Sequence, residues 1–446
     1  MDPDNKTVTK DILKIGVPSF LEVLFTTFSN IIDSKMVSAM GLTAISAVSV
    51  TNPPRLFIIS VFVAVNTVLS SLTAKCVGMN DRDEANRIFD SVMKMVLIAS
   101  VVLSALSVAL ARPIMLAFSH QMDIMDDSVI YFRIVMAGTI FNAVFMAINA
   151  MMRGCGHTNL TFTSNVIFCF VNIIFNYLLI EGHLGFPALG IAGAAIATVT
   201  GMAAAMVFIL VMAFKKDMFV NIPYCLSKKY KLTREGSKEI NAMAKSTITD
   251  GLVTRISILL IGAIVARIGS YHLAVYSVGM HLMTANQALG TGLSTAAVAL
   301  IGRYYGAGDK KTLNIYKRQI IKITLIAAIG LGAIIMLGGR WFYGFFSDDP
   351  QFISMGAISC LFIGVITLSQ TMKFSYAGCL QGVGAMKEVM TASIISFAVV
   401  NLGVLAICVF VLKLGVWGAW IGSLASQTVQ AFMLWRYTRK IDAFRE

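Results

Sequence analysis

The run Ser393-Ile-Ile-Ser-Phe-Ala-Val-Val-Asn-Leu-Gly-Val-Leu-Ala-Ile-Cys-Val-Phe-Val-Leu412 contains no charged residue. A helix of about 20 apolar residues crosses the hydrocarbon of a bilayer. Backbone N–H and C=O groups in lipid must be bonded within their own segment, so such a run must be helical. The residue-by-residue alternation of a membrane β-barrel strand is absent from it. Comparable runs fill the chain, giving twelve spans near 12–34, 46–74, 88–110, 129–151, 160–182, 189–214, 242–267, 272–301, 318–338, 353–380, 388–412 and 415–437. Composition agrees. Of 446 residues, 57% are hydrophobic and 13% charged, against about 25% charged in a soluble domain. That is too little charge for a water-soluble shell, so the fold class is all-α integral membrane.

The net charge of +13 is a matter of topology. Lys215, Lys216, Lys228, Lys229, Lys231, Arg234 and Lys238 follow span 6. Arg303, Lys310, Lys311, Lys317 and Arg318 follow span 8, and Arg436, Arg439, Lys440 and Arg445 close the chain. The alternate loops are poorer, with Lys35, Arg112, Arg267, Arg340 and Lys413 at their edges. The positive-inside rule then places both termini in the cytoplasm of a multi-pass cell-membrane protein. No aromatic–basic interleaving or zinc spacing points to nucleic acid. The seven cysteines are odd in number and irregularly spaced, unlike a disulfide framework or metal site. Met1 to Lys10 is polar and lacks the apolar core of a signal peptide.

The chain also repeats itself. Gly78-Met-Asn-Asp81 recurs as Gly306-Ala-Gly-Asp309, an offset of 306 − 78 = 228. Arg153-Gly-Cys-Gly156 recurs as Gln381-Gly-Val-Gly384, and Gly41 as Gly269, at the same offset. Leu189-Gly-Ile-Ala-Gly193 matches Leu414-Gly-Val-Trp-Gly418 at 225, after a short deletion. Each half has six spans, an even number, so the halves are parallel. The expected organisation is two pseudo-symmetric six-helix lobes, 1–214 and 242–446, joined by a cytoplasmic linker at 215–241. Two such lobes can rock and open a central cleft to each side in turn.

Intramembrane charges cost roughly 2.5–3.5 kcal/mol at the bilayer centre, so they mark function or pairing. Three acids qualify: Glu22, Asp33 and Asp250. Glu22 and Asp33 lie about three helical turns apart, on one face with Thr26, Ser29 and Asn30. Pro18, four residues before Glu22, removes a backbone bond and should loosen the helix. Span 4 carries Asn142, Asn149 and Arg153 on one face, and span 5 carries Asn165, Asn172 and Asn176. Span 7 adds Arg255, and span 10 adds Gln370, Lys373 and Tyr376. Asp250 stands 228 after Glu22, whereas Asp33 is matched by Ile261. The amides also suit plain interhelical hydrogen bonding. The acids also suit fixed ion pairs with Arg255 or Lys373.

Several stretches resemble the multidrug and toxic compound extrusion (MATE) family over nearly the whole chain. They are Asn30-Ile-Ile-Asp33 with Gly41, Arg153-Gly-Cys-Gly-His-Thr158, Asn172-Ile-Ile-Phe-Asn176-Tyr-Leu-Leu-Ile180, and the Gly185–Thr198 stretch. The resemblance implies a secondary antiporter that exports amphiphilic or cationic small organic molecules in exchange for protons or sodium, by rocker-switch alternating access. It implies that Asp33 binds the coupling ion or proton, assisted by Asn149 and Asn172. The repeat adds Glu22 and Asp250, which stand at equivalent positions and of which at least one is expected to exchange a proton for substrate. Asn30, Thr26, Asn176, Arg255, Gln370 and Lys373 are then expected along the substrate cleft. The sequence departs from relatives at Asn176, where some carry a second Asp. It also departs in span 10, where Gln370 and Lys373 occupy the region of an Asp typical of sodium-coupled members. The coupling ion stays open between H+ and Na+, with sodium at Asp33 one possibility and no structural metal or cofactor expected. A monomer in the lipid bilayer handling a small-molecule substrate is the implied state. A lipid-linked-precursor flippase of the same superfamily is the near alternative. An intramembrane enzyme is the distant one, since the five histidines are dispersed.

Overall fold

The computed structural model describes residues 4–119, 121–215, 217–228, 230 and 234–444. Lys216, Lys229, Lys231, Arg445 and His120 lie outside the described residues, as does the side chain of Arg234. Among the described residues the chain is helical, with no β-strand. The helices are α1 (Asn5–Ser38), α2 (Leu42–Met79), α3 (Arg82–Ala109), α4 (Ala111–Phe118), α5 (Met125–Ala137), α6 (Thr139–Gly154), α7 (Thr158–Ile180), α8 (Gly190–Ala213), α9 (Ile222–Lys228), α10 (Arg234–Ile268), α11 (Ser270–Gly306), α12 (Lys310–Gly344), α13 (Pro350–Gly382), α14 (Met386–Ser393), α15 (Leu402–Ala406) and α16 (Val416–Lys440).

Ten spans among the described residues satisfy length and hydropathy for crossing a membrane, when α5 and α6, bent by 45° at Gly138, count as one. The remaining two of the twelve are α11 and α16. They are long enough, at 37 and 25 residues, but their amides and hydroxyls, such as Asn286, Gln287, Gln427 and Gln430, dilute their hydropathy. Span 11, uncharged from Val389 to Leu412, is not a uniform α-helix. Ile394–Asn401 and Ile407–Val411 are π-helical, a widened turn that interrupts the i→i−4 ladder.

The repeat is visible in local geometry. Asp81 and Asp309 cap α3 and α12, accepting from Glu84 N–H at 2.9 Å and Thr312 N–H at 3.0 Å. Gly190 and Gly415 both hold left-handed φ, 55° and 58°, at the turn before the sixth span of each half. Gly154 presses α6 on Ser70 and Thr73 of α2, and Gly382 presses α13 on Val298 and Ile301 of α11, at positions 228 apart.

The chain divides into two compact units, Leu21–Asn241 and Met1–Phe20 with Ala242–Glu446. The sequence division places all of span 1 in the first lobe. By contacts, α1 continues as one helix through Pro18, and its first part packs with the C-terminal half. Val8, Ile12 and Ile15 enter a core with Leu293, Ala296 and Leu300. Asp11 accepts from the Tyr316 hydroxyl at 2.6 Å. Gly292 lets α11 approach α1, since a Cβ there would lie 2.7 Å from the Gly16 carbonyl oxygen.

In the other unit the linker docks on the start of α3. Arg82 donates to the Met218 and Phe219 carbonyls at 3.1 Å. Asn86 accepts from Asn221 N–H at 2.9 Å, and the Tyr224 and Tyr230 hydroxyls donate to Asp83 at 2.7 and 2.9 Å. These bonds satisfy backbone groups that a loop would otherwise leave to water.

Candidate functional site

The unit Leu21–Asn241 holds two acid sites along α1 and α7. Helix α8 packs closely on α7 because Gly193, Ala197 and Gly201 recur every four residues on its buried face. A Cβ on Gly201 would lie 2.9 Å from the Phe168 carbonyl oxygen and 3.1 Å from Asn172 Cβ. This packing fixes Asn172, which is fully buried. Its amide is satisfied when its nitrogen donates to both Asp33 oxygens, at 2.7 and 2.9 Å, and its oxygen accepts from Thr198 N–H at 3.3 Å. One turn on, Asn176 Nδ2 donates to Asp33 Oδ1 at 2.8 Å. The buried Asn176 Oδ1 has no hydrogen-bond partner among the described residues. Asp33 is thus held by neutral amides, with no ion-pair partner among the described residues. The Arg55 guanidinium of α2 acts on it only at longer range and donates to Asn52 at 3.0 Å.

About three turns earlier on α1, Glu22 sits in a different setting. It is 7% exposed and forms an ion pair with Arg153 of α6. Asn165 Nδ2 donates to its Oε1 at 2.9 Å and the Thr161 hydroxyl to its Oε2 at 3.2 Å. Every oxygen of this carboxylate is therefore engaged. Asn149 was expected beside Asp33. Its carbonyl oxygen instead accepts from Ser164 at 3.1 Å, between Thr161 and Asn165 in sequence. Thr26 spends its hydroxyl on the Glu22 carbonyl of its own helix at 2.8 Å, and Asn30 is exposed.

In the unit containing 242–444, Asp250 of α10 has Ser393, 228 positions after Asn165, within hydrogen-bonding reach. The acid and its α7-type partner are therefore both repeated. The cation is not. Lys373 of α13 acts on Asp250 through its field, without an ion pair among the described residues. Its ammonium lies 4.8 Å from the Phe374 ring centre and 5.4 Å from that of Phe397, a cation–π setting. Gln370 is occupied, accepting from Asn286, whose oxygen takes the Thr371 hydroxyl at 2.8 Å. Arg255 is half-buried, on the same helix as Asp250. The Asp33 site has no counterpart: Asp33, Asn172 and Asn176 map to Ile261, Val400 and Val404.

Arg55 and Thr198 were missed in the sequence. The signal for Arg55 was an arginine inside span 2, in Asn52-Pro-Pro-Arg55. Thr198 carried none, because a hydroxyl is common in spans and its backbone N–H is the group used.

The MatE family model matches residues 18–178 and again 248–407. Its two starts lie 248 − 18 = 230 residues apart, close to the internal repeat. A probable multidrug resistance protein NorM of Thermotoga maritima is 24% identical over 418 residues, covering 94% of this chain and 89% of that protein. The uncharacterized transporter YisQ of Bacillus subtilis is 21% identical over 441 residues, covering 98% and 95%. Among solved structures, MATE in the bent conformation matches with a TM-score of 0.89 at 22% identity, covering 97% of this chain and 95% of that one. An outward-facing multidrug resistance MATE transporter of the MOP superfamily matches with the same TM-score at 21% identity, covering 98% and 96%.

Proposed function

The chain belongs to the MatE family of multidrug and toxic compound extrusion transporters, and from that premise we propose that it is a secondary antiporter that couples export to cation uptake at Asp33. Members of this family are transporters rather than enzymes. The observation that carries the reading is the Asp33 carboxylate held by Asn172 and Asn176 amides, with no cationic side chain among the described residues paired to it. A carboxylate so placed can exchange a proton without breaking an ion pair. The unused Asn176 Oδ1 and the Thr198 hydroxyl beside Asn172 add oxygen donors, the ligand type a hard cation such as sodium takes. Asn149 would act here through Ser164, at one remove.

Of the two repeated acids, Asp250 suits exchange better than Glu22, because Glu22 is already neutralised by Arg153. The proposed exported class is amphiphilic or cationic organic molecules, in keeping with relatives named as probable multidrug resistance proteins. Thr26, Asn30, Asn176, Arg255, Gln370 and Lys373 are proposed to line its path. The lobes 1–214 and 242–446 would alternate access in a monomer of the cell membrane. The test is flux of a cationic dye in liposomes under imposed proton or sodium gradients. Wild type should respond to one gradient, and Asp33→Asn should abolish the response at equal incorporation. Full gradient-driven flux in Asp33→Asn would remove the coupling role.

A further inference from the structure

Where α10 ends and span 11 turns into α16, the unit containing 242–444 forms an open cavity of about 310 Å³, within the range of small-ligand pockets. Three of its lining residues are basic, Arg267, His272 and Lys413, and none is acidic. Among the described residues, the exposed side chains of Arg267 and Lys413 form no ion pair or hydrogen bond. His272 Nδ1 is closed off from solvent and has no hydrogen-bond partner among the described residues. The imidazole packs on the backbone of Gly415, where a Cβ would come within 3.1 Å of its Cε1. Arg267, His272 and Lys413 thus bring three basic side chains to one opening, the donor set that charge-assisted bonds to an anion use.

The repeat shows that the scaffold does not require these charges. Gly269 and Gly415, which shape the two turns, correspond to Gly41 and Gly190, and all four have positive φ. Yet Arg267, His272 and Lys413 correspond to Ala39, Ala44 and Ala188 (offsets 228, 228 and 225). The same turns are thus built in the other unit with three methyl groups. The charges also stand in the loops that are poor in Lys and Arg, where the topology rule does not call for them.

The setting identifies the anion. Phe410, Val411 and Leu412 are 58%, 71% and 56% exposed, and this apolar collar stops at Lys413. The cavity itself is floored by Ile264, Val409 and Phe410. Exposed apolar residues ending at unpaired cations place the cavity where acyl chains meet headgroups. The π-helical turn Ile407–Val411 and the Leu414 N–H bond to the Cys408 carbonyl, at 3.0 Å, bring both kinds of residue to one opening.

We propose that this cavity binds the phosphate of an anionic phospholipid. Arg267 and Lys413 supply charge-assisted bonds, His272 a further partner, and the first acyl segment lies on Ile264, Val409 and Phe410. The full chain in detergent is titrated with phosphatidylglycerol or phosphatidylcholine and read by native mass spectrometry. Wild type should retain phosphatidylglycerol preferentially. Arg267→Ala/His272→Ala/Lys413→Ala, which installs the residues of the other unit, should lose that preference. Each single cation removal should weaken it about fivefold. Inorganic phosphate is the second probe. If it raises the melting temperature of wild type but not of the triple variant, while neither lipid is preferred, the phosphate site stands and its source is the free ion. The exposed substitution Lys413→Gln is read in the same way should the triple variant misfold. Equal phosphatidylglycerol retention in wild type and variants, with no effect of phosphate, would overturn the assignment.

Discussion

Arg153, in the last turn of α6, forms an ion pair with Glu22, which lies 131 residues earlier in the buried face of α1. Asp250, at the repeat-equivalent position, has no such partner among the described residues. The two acids should therefore respond differently to neutralisation. Glu22→Gln leaves Arg153 without its counter-charge. The loss should be about 2 kcal/mol, below the roughly 3–5 kcal/mol of a fully buried pair, because the Arg153 side chain is 33% exposed. Asp250→Asn should cost less and should alter the pH dependence of substrate binding. Thermal unfolding and binding titrations across pH measure both. Equal stability losses in the two variants would contradict the distinction.

Gly201 controls the Asp33 site without touching Asp33. A methyl group there meets the Phe168 carbonyl at 2.9 Å and Asn172 Cβ at 3.1 Å. Gly201→Ala should push α8 from α7 and pull the Asn172 amide off the carboxylate. Gradient-driven flux should fall by about tenfold, corresponding to one hydrogen bond to a charged group, while Gly262→Ala, which has open space around it, should leave flux unchanged. Liposome assays of both variants decide it. Wild-type flux in Gly201→Ala would show that the packing does not set the site.

The linker clamp has a pH signature. The Tyr224 and Tyr230 hydroxyls bonded to Asp83 hold its carboxyl below the usual carboxylate range. A depressed folded value means that docking is at full strength above about pH 4, the ordinary Asp value, and weakens as pH falls below it. Cys225, buried against Asn86 at 3.1 Å, reports the docking. As the sole cysteine, it should react slowly with a dithiopyridine at pH 6 and faster below pH 4. Asp83→Asn should react fast already at pH 6. A rate independent of pH and of Asp83 would dissociate the clamp from this carboxylate.

The charge asymmetry makes a topological prediction. In a cysteine-free background, a cysteine at Ser227, in the basic linker, should resist an impermeant maleimide in intact cells. One at Asp348, exposed before α13, should label readily. The reverse pattern would invert the orientation.

The sequence by itself determined the helices and their duplication. Apolar runs must be helical in lipid, and that constraint acts within each segment. The caps at Asp81 and Asp309 and the left-handed glycines 190 and 415 are likewise local. Periodicity also placed Asn165, Asn172 and Asn176 on one face of α7. It could not divide them between two acids, because a face does not say which turn of a neighbour it meets. Only packing decided that. The Gly193–Ala197–Gly201 approach of α8 sets Asn172 against Asp33, and α6 carries Arg153 to Glu22 while Asn149 turns to Ser164. The same holds for the first helix. Its sequence is one continuous span, yet Val8, Ile12 and Ile15 find their core among residues nearly three hundred positions away. Burial of side chains depends on partners that no spacing within a segment encodes.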